Sequence, residues 1–225
     1  MFKVSISLFS VLAASLLALA QTPARVSEKP VCPAAASNPV AELECGNLRF
    51  TGKAQQHPQQ SVEYAKTLKD HQKPFAVVLN CSDSRVPPEV LFDQGFGDLF
   101  VVRVVGNAAT RDVLASIEYA VDELKTKLVV VMGHQRCGAV AAAFCPKPGT
   151  NLDGIWTLIR PAVARPIEKC DRHPVIPAAD WDRAVRKNVD NMKQIVANDL
   201  RSRAGVEIVG AYYSLDNGTV SFEGR

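Results

Sequence analysis

Four mainly apolar runs punctuate the chain, at Phe75–Leu79, Leu99–Val105 with Arg103 inside it, Leu128–Met132, and Val206–Ala211 with Glu207 inside it. Each has the length of a β-strand, and a strand without polar alternation is one covered on both faces of its sheet. Between the second and third runs Val113, Leu114, Ile117, Ala120, Val121 and Leu124 recur at helical spacing. The stretch Trp181–Ala204 predicts a longer helix with Val185, Val189, Met192 and Ile195 on one face. Ahead of the first strand, the stretch from Pro39 that carries Leu43, Leu48 and Phe50, and then Ser61–Leu68, predict two short helices. Strands alternating with helices predict an α/β fold: a mostly parallel central sheet of about four strands, flanked by helices and preceded by a helical arm. The turn pair Asn217-Gly218 followed by Thr219–Phe222 adds an antiparallel edge strand through a hairpin.

The N-terminus follows another pattern. Lys3 precedes the 17-residue stretch Val4–Ala20, which only serine interrupts and which ends on the small-x-small triplet Ala18-Leu19-Ala20. That is the form of a cleavable export signal, and it is short and serine-broken for a spanning helix. The expected organisation is therefore a signal over residues 1–20, a Pro- and Ala-rich leader arm over 21–37, and one catalytic domain over 38–225. The mature chain is expected to be exported, periplasmic or alternatively secreted, with no membrane attachment after cleavage.

Composition narrows the class without naming it. With 225 residues, 47% of them apolar and 22% charged, the chain is neither disordered, collagen-like nor a multi-span membrane protein. A formal net charge of +3 without a basic run gives no surface for nucleic acid.

The chemistry lies where two strands end. The first runs into Cys81-Ser82-Asp83-Ser84-Arg85 and the third into His134-Gln135-Arg136-Cys137-Gly138, which are the strand ends at which open α/β sheets build their sites. Two thiolates and one imidazole form a soft N/S donor set suited to Zn2+, and three protein ligands leave the fourth tetrahedral position open, as in a catalytic site. A closed structural site with Asp83 as fourth ligand uses the same residues. So does a metal-free pair of buried thiols, or a disulfide between Cys81 and Cys137.

The pairing of Cys81-Ser82-Asp83-Ser84-Arg85 with His134-x-x-Cys137-Gly138, 53 positions after Cys81, resembles the signature of the beta class of carbonic anhydrases. The likeness runs from about Leu48 to Leu215. It implies one zinc ion per chain on Cys81, His134 and Cys137, an Asp83–Arg85 dyad, and reversible hydration of CO2 to bicarbonate by water activated at the metal. It also implies a homodimer or a higher even oligomer. By position, Gln72 falls where the family places an amide that reaches the substrate, often across the dimer interface. Phe100, Val105 and Tyr119 fall on its apolar CO2 pocket, and Gly138 where a backbone N–H meets bicarbonate.

Zinc with two thiolates is formally neutral and polarises water less than it would among neutral imidazoles, so neighbouring groups matter. Asp83 can accept a hydrogen bond from the attacking water, and Arg85 can hold Asp83 in a bidentate pair that keeps it off the metal. One departure bears on this. Members with an inhibitory bicarbonate site carry Trp three residues before the first cysteine, where this chain has Val78. The expectation is an open site. Val104, where many members have Asn, is expected to change the site only locally. Setting Cys81 and Cys137 aside leaves Cys32, Cys45, Cys145 and Cys170, an even number suited to an exported protein, with local pairs Cys32–Cys45 and Cys145–Cys170 expected.

Overall fold

A computed structural model describes residues 38–168, 170 and 174–223. The expected signal and leader arm, and Cys32 with its pairing to Cys45, lie outside the described residues. No helix among the described residues is long and apolar enough to cross a membrane.

Helix α1 (Pro39–Thr51) starts where Asn38 Oδ1 accepts from the N–H groups of Val40 and Ala41, with Pro39 preset for the first turn. It buries Val40 and Leu43 in the core. A shorter α2 (Val62–Thr67) is capped by Ser61. Then come β1 (Ala76–Asn80), α3 (Pro88–Leu91), β2 (Leu99–Arg103), α4 (Arg111–Asp122) and β3 (Leu128–His134). After them follow α5 (Gly138–Ala143), α6 (Asp153–Ile159), α7 (Ala178–Asp199), β4 (Glu207–Tyr213) and β5 (Val220–Glu223).

The five strands form one sheet in the order β2-β1-β3-β4-β5. The first four are parallel and β5 returns antiparallel on β4, which is the predicted architecture. Every residue of β1 and β3 is buried, because alternate side chains feed two cores. Ala76 and Val78 point into one cluster with Val40, Leu91 and Val140, while Val77 and Leu79 join Ile117, Val189 and Met192 on the other face. From β1 the chain moves outward to β2 and then returns across β1 to β3. Neighbours β1 and β3 are thus entered from opposite directions, which opens a crevice beyond their C-terminal ends.

Two predicted boundaries shift. The second strand ends at Arg103, not Val105, and Val105–Asn107 forms a 3-10 turn. Gly106 (φ 67°) and Asn107 (φ 45°) are left-handed there, which no strand accommodates. A Cβ on Gly106 would also meet Ile159 Cδ1 at 2.4 Å. The last helix runs Ala178–Asp199 in place of Trp181–Ala204, beginning directly after Pro177 and closing on the turn at Leu200.

Candidate metal centre

Cys81 is the first residue after β1, and its position is set by polar groups at the strand end. Asn80, wholly buried, accepts from the Cys81 N–H at 2.7 Å through Oδ1 and donates to the Val86 carbonyl at 2.5 Å through Nδ2. Its amide thus closes the loop 81–86 upon itself. From β2, Arg103 donates through Nε to the Cys81 carbonyl at 3.1 Å and through Nη2 to the Asp83 carbonyl at 2.6 Å. Backbone bonds from Ser82 to Val104 and from Val104 to Asn80 tie the exits of the two strands together.

His134 ends β3, and Cys137 is the N-cap of α5. Between them Arg136 takes a left-handed turn (φ 54°), and the Gln135 N–H reaches the Tyr213 carbonyl at 2.8 Å. This tight reversal returns Cys137 to the histidine. From α7, Trp181 Nε1 donates to the Cys137 carbonyl at 3.1 Å.

The result is a buried Cys81–His134–Cys137 group whose ligand atoms all lie within 4.8 Å of one another, the one such group among the described residues. The two sulfurs are 4.0 Å apart, close to the ~3.8 Å that two Zn–S bonds of about 2.3 Å subtend at a tetrahedral metal. They are free thiols, so the alternative of a Cys81–Cys137 disulfide does not hold. His134 Nδ1 lies 3.0 Å from the Gln135 carbonyl, a bond that places the ring proton on Nδ1 and leaves a lone pair on Nε2. Nε2 is buried and has no hydrogen-bond partner. An orphaned ring nitrogen aimed at two thiols is the donor set of a zinc ion, and these residues fit one.

The thiols share their protons unequally. A hydrogen bond from the Cys137 thiol, opposed by burial and aided by His134, holds Cys81 far below the usual thiol range at about 4. The same bond, with burial, pushes Cys137 well up. The shared bond thus favours one thiolate and one thiol in the pair, and a metal held by both sulfurs would displace the remaining proton.

Asp83 stands beside this group. Its Oδ1 accepts from the backbone N–H and Nε of Arg85, its Oδ2 accepts from Nη2, and Oδ2 is 3.9 Å from His134 Nε2. The Arg85 guanidinium holds the Asp83 carboxyl well below the usual carboxylate range, and Arg85 is raised in turn.

A cavity of about 580 Å³ lies along α5, the helix that Cys137 caps, and is lined by Val105, Gly138, Trp156, Trp181 and the Cys145–Cys170 disulfide, among others. Val105 precedes Gly106, whose N–H donates to Cys81 Sγ, and Gly138 follows Cys137, so both are chain neighbours of the centre. Phe100 and Tyr119 are not. Their rings lie 6.2 Å apart, and Phe100 packs with the cluster on the sheet face opposite the cysteines. Gln72 is exposed in the loop before β1. Residues that sequence reasoning missed include Asn80 and Trp181. A polar residue closing an otherwise apolar strand directly before a ligand was the available signal for Asn80.

Residues 76–220 match the carbonic anhydrase protein family. Carbonic anhydrase 2 of Mycobacterium tuberculosis is 40% identical over 191 residues, covering 81% of this chain and 91% of that one. Among solved structures, a tetrameric beta-carbonic anhydrase from Sordaria macrospora superposes with TM-score 0.63 at 26% identity, covering 77% of this chain and 90% of that one. A Coccomyxa beta-carbonic anhydrase in complex with acetazolamide superposes with TM-score 0.60 at 27% identity, covering 69% and 74%.

Proposed function

The chain belongs to the beta class of the carbonic anhydrase family and catalyses reversible hydration of CO2 to bicarbonate, and we propose that it does so with one zinc ion on Cys81, His134 and Cys137. Zinc in such a site supplies acidity to a bound water, making a nucleophile near neutral pH. The protein groups do the rest. Asp83, ionised and fixed by Arg85, accepts a hydrogen bond from the attacking water and aims its free lone pair at the CO2 carbon. Because both Asp83 oxygens already take hydrogen bonds from Arg85, the carboxylate is held back from Cys81, His134 and Cys137, which would hold the metal without it. Val105 and the wall of the apolar cavity receive a substrate with no net dipole, and Gly138 offers its backbone N–H to the bicarbonate that forms. The observation that carries this reading is the three-donor centre with a carboxylate tied beside it.

The working unit is a homodimer or a higher even oligomer. Gln72 is solvent-facing and Tyr119 is half exposed, far from use within their own chain. The strand β2 ends the sheet with an unpaired edge. A second copy packed along this edge would bring Gln72, Phe100 and Tyr119 to the partner's centre. The protein works outside the cytoplasm, in the periplasm of its cell. The apolar N-terminal stretch supports this, and so does the Cys145–Cys170 disulfide, a bond that persists in oxidising compartments.

Stopped-flow CO2 hydration by the zinc-loaded protein, beside Cys81→Ser, tests the reading. The wild type should be faster by orders of magnitude, and equal rates would end the proposal.

A further inference from the structure

We infer that Asn188 is a positioning residue of the metal centre, acting through Gly106 on the Cys81 sulfur. The inference rests on the zinc reading above and adds a residue of α7 to it.

Asn188 lies on the apolar face of α7, between Val185 and Val189, with no exposed surface. An amide in such a place costs free energy unless its hydrogen bonds are made. Its Nδ2 donates to the Gly106 carbonyl at 3.0 Å and to Asn107 Oδ1 at 3.3 Å. Gly106 in turn donates its N–H to Cys81 Sγ at 3.3 Å. The amide of Asn188 thus grips one side of the peptide unit pair whose other side touches the ligand sulfur. Gly106 and Asn107 are both left-handed, and a 3-10 turn of three residues has little hydrogen bonding of its own to hold that shape.

The bonding is one-sided. Asn188 Oδ1 and Asn107 Nδ2 are buried without partners, so the pair is not a saturated bridge serving stability alone. A leucine of similar size would remove the unpaired oxygen and pack with Val185 and Val189. What leucine cannot do is orient the Gly106 carbonyl and, through it, the N–H on the sulfur. Two further bonds from the same helix support the assignment: Trp181 Nε1 to the Cys137 carbonyl and the Ala109 N–H to Met192 Sδ, at 3.1 and 3.2 Å. Helix α7 thereby holds the Cys137 carbonyl directly, and holds from both ends the segment Gly106–Ala109, whose first N–H meets Cys81 Sγ. An N–H aimed at a thiolate withdraws charge from the sulfur and fixes the direction of its remaining lone pairs, which sets both donor strength and geometry at the metal.

The test uses the whole protein reconstituted with Co2+ in place of Zn2+, and compares Asn188→Leu with Asn47→Ala. Asn47 is another buried asparagine, on α1, that bonds Leu91, Gly218 and Val220 and none of the ligand residues. In Asn188→Leu the thiolate-to-cobalt charge-transfer band should move to longer wavelength, and Zn2+ affinity measured against a chelator should fall about tenfold or more. Asn47→Ala should lower the melting temperature and leave band and affinity as in the wild type. If Asn188→Leu does not fold, Asn188→Ser carries the same reading. A wild-type band and wild-type Zn2+ affinity in the folded Asn188 variant would overturn the inference and leave the zinc proposal standing. Failure of the wild-type protein to bind Co2+ or Zn2+ would overturn both.

Discussion

Arg85 closes on Asp83 with three donors: its backbone N–H at 3.0 Å and Nε at 2.9 Å from Oδ1, and Nη2 at 2.7 Å from Oδ2. The guanidinium fork matches the carboxylate edge, so direction is fixed as well as charge. Asp83 is two residues from Cys81 and faces His134, and without the Arg85 guanidinium only the backbone N–H at position 85 still holds it, through Oδ1 alone. Arg85→Ala should therefore lower kcat/KM about 100-fold, the usual loss when a reacting group is misplaced by an ångström. Arg85→Lys should recover only part of it, because an ammonium cannot make the two parallel bonds. Stopped-flow hydration rates decide both, and wild-type activity in Arg85→Ala would show that the dyad is only a surface ion pair.

Gly46, in the middle of α1, marks the closest approach of that helix to the segment after α3. A Cβ placed there would lie 1.7 Å from the Phe92 carbonyl oxygen. Backbone cannot rotate out of the way as a side chain can, so the helix would have to lift from Phe92, itself fully buried. Gly46→Ala should cost about 3 kcal/mol despite the better helix propensity of alanine. Urea unfolding measures this, and a neutral or stabilising alanine would contradict it.

The strands were legible for a physical reason: β1 and β3 are buried on both faces, and residues that meet only apolar neighbours leave an uninterrupted apolar run. The same signal overran β2, because Val104 and Val105 are apolar for a different purpose, flanking the turn and lining the cavity. The ligand residues were legible because Cys81 and His134 lie at the ends of recognisable strands and Cys137 opens the next helix three residues on, where the chemistry and the topology coincide. Asn188 was not. It interrupts the stripe Val185, Val189, Met192 at a position that helical spacing places inside the core, and only the fold shows which carbonyl it faces. Gln72, Phe100 and Tyr119 rest on the family resemblance alone, and nothing among the described residues brings them to the centre.

The buried Arg49–Asp93 pair makes acid stability predictable. Arg49 Nε donates to Asp93 Oδ2 at 2.6 Å, and the N–H groups of Gln56 and His57 donate to the same carboxylate. Burial raises the Asp93 carboxyl, but these donors outweigh it and hold the group below its ordinary value. At acid pH the unfolded chain therefore binds more protons at this site than the folded one. The stabilisation is complete above the ordinary carboxylate pKa of about 4 and is lost as pH falls through the lower folded value. Asp93→Asn should destabilise the protein by about 3 kcal/mol at pH 7, since it takes the short Nε ion pair from buried Arg49 and leaves it only Glu42 at 3.3 Å. It should also flatten the acid limb of the stability curve. Urea midpoints across pH 3–7 check both effects, and an unchanged slope in the variant would assign the acid limb to other groups.

Cys145 and Cys170 are bonded across 25 positions, enclosing α6 and the segment that carries Trp156. The chain crossing this gap has few other ties to α5. The Ile167 N–H meets the Phe144 carbonyl at 2.7 Å, and Trp156 Nε1 meets the Cys145 carbonyl at 3.2 Å. Closing a loop of this length removes conformational entropy from the unfolded chain worth about 3 kcal/mol. The hydrogen bonds that set the metal ligands come from outside the bridged loop, because Cys81 and His134 are set by β1 and β3, and Cys137 is held by Trp181 from α7. The double variant Cys145→Ser/Cys170→Ser should therefore unfold at markedly lower urea, lose stability of that order, and keep its Zn2+ affinity. Reduction of the wild type should reproduce the loss of stability. If the double variant instead lost Zn2+ at unchanged urea midpoint, the bridge would be acting on the metal centre and not on the loop it closes.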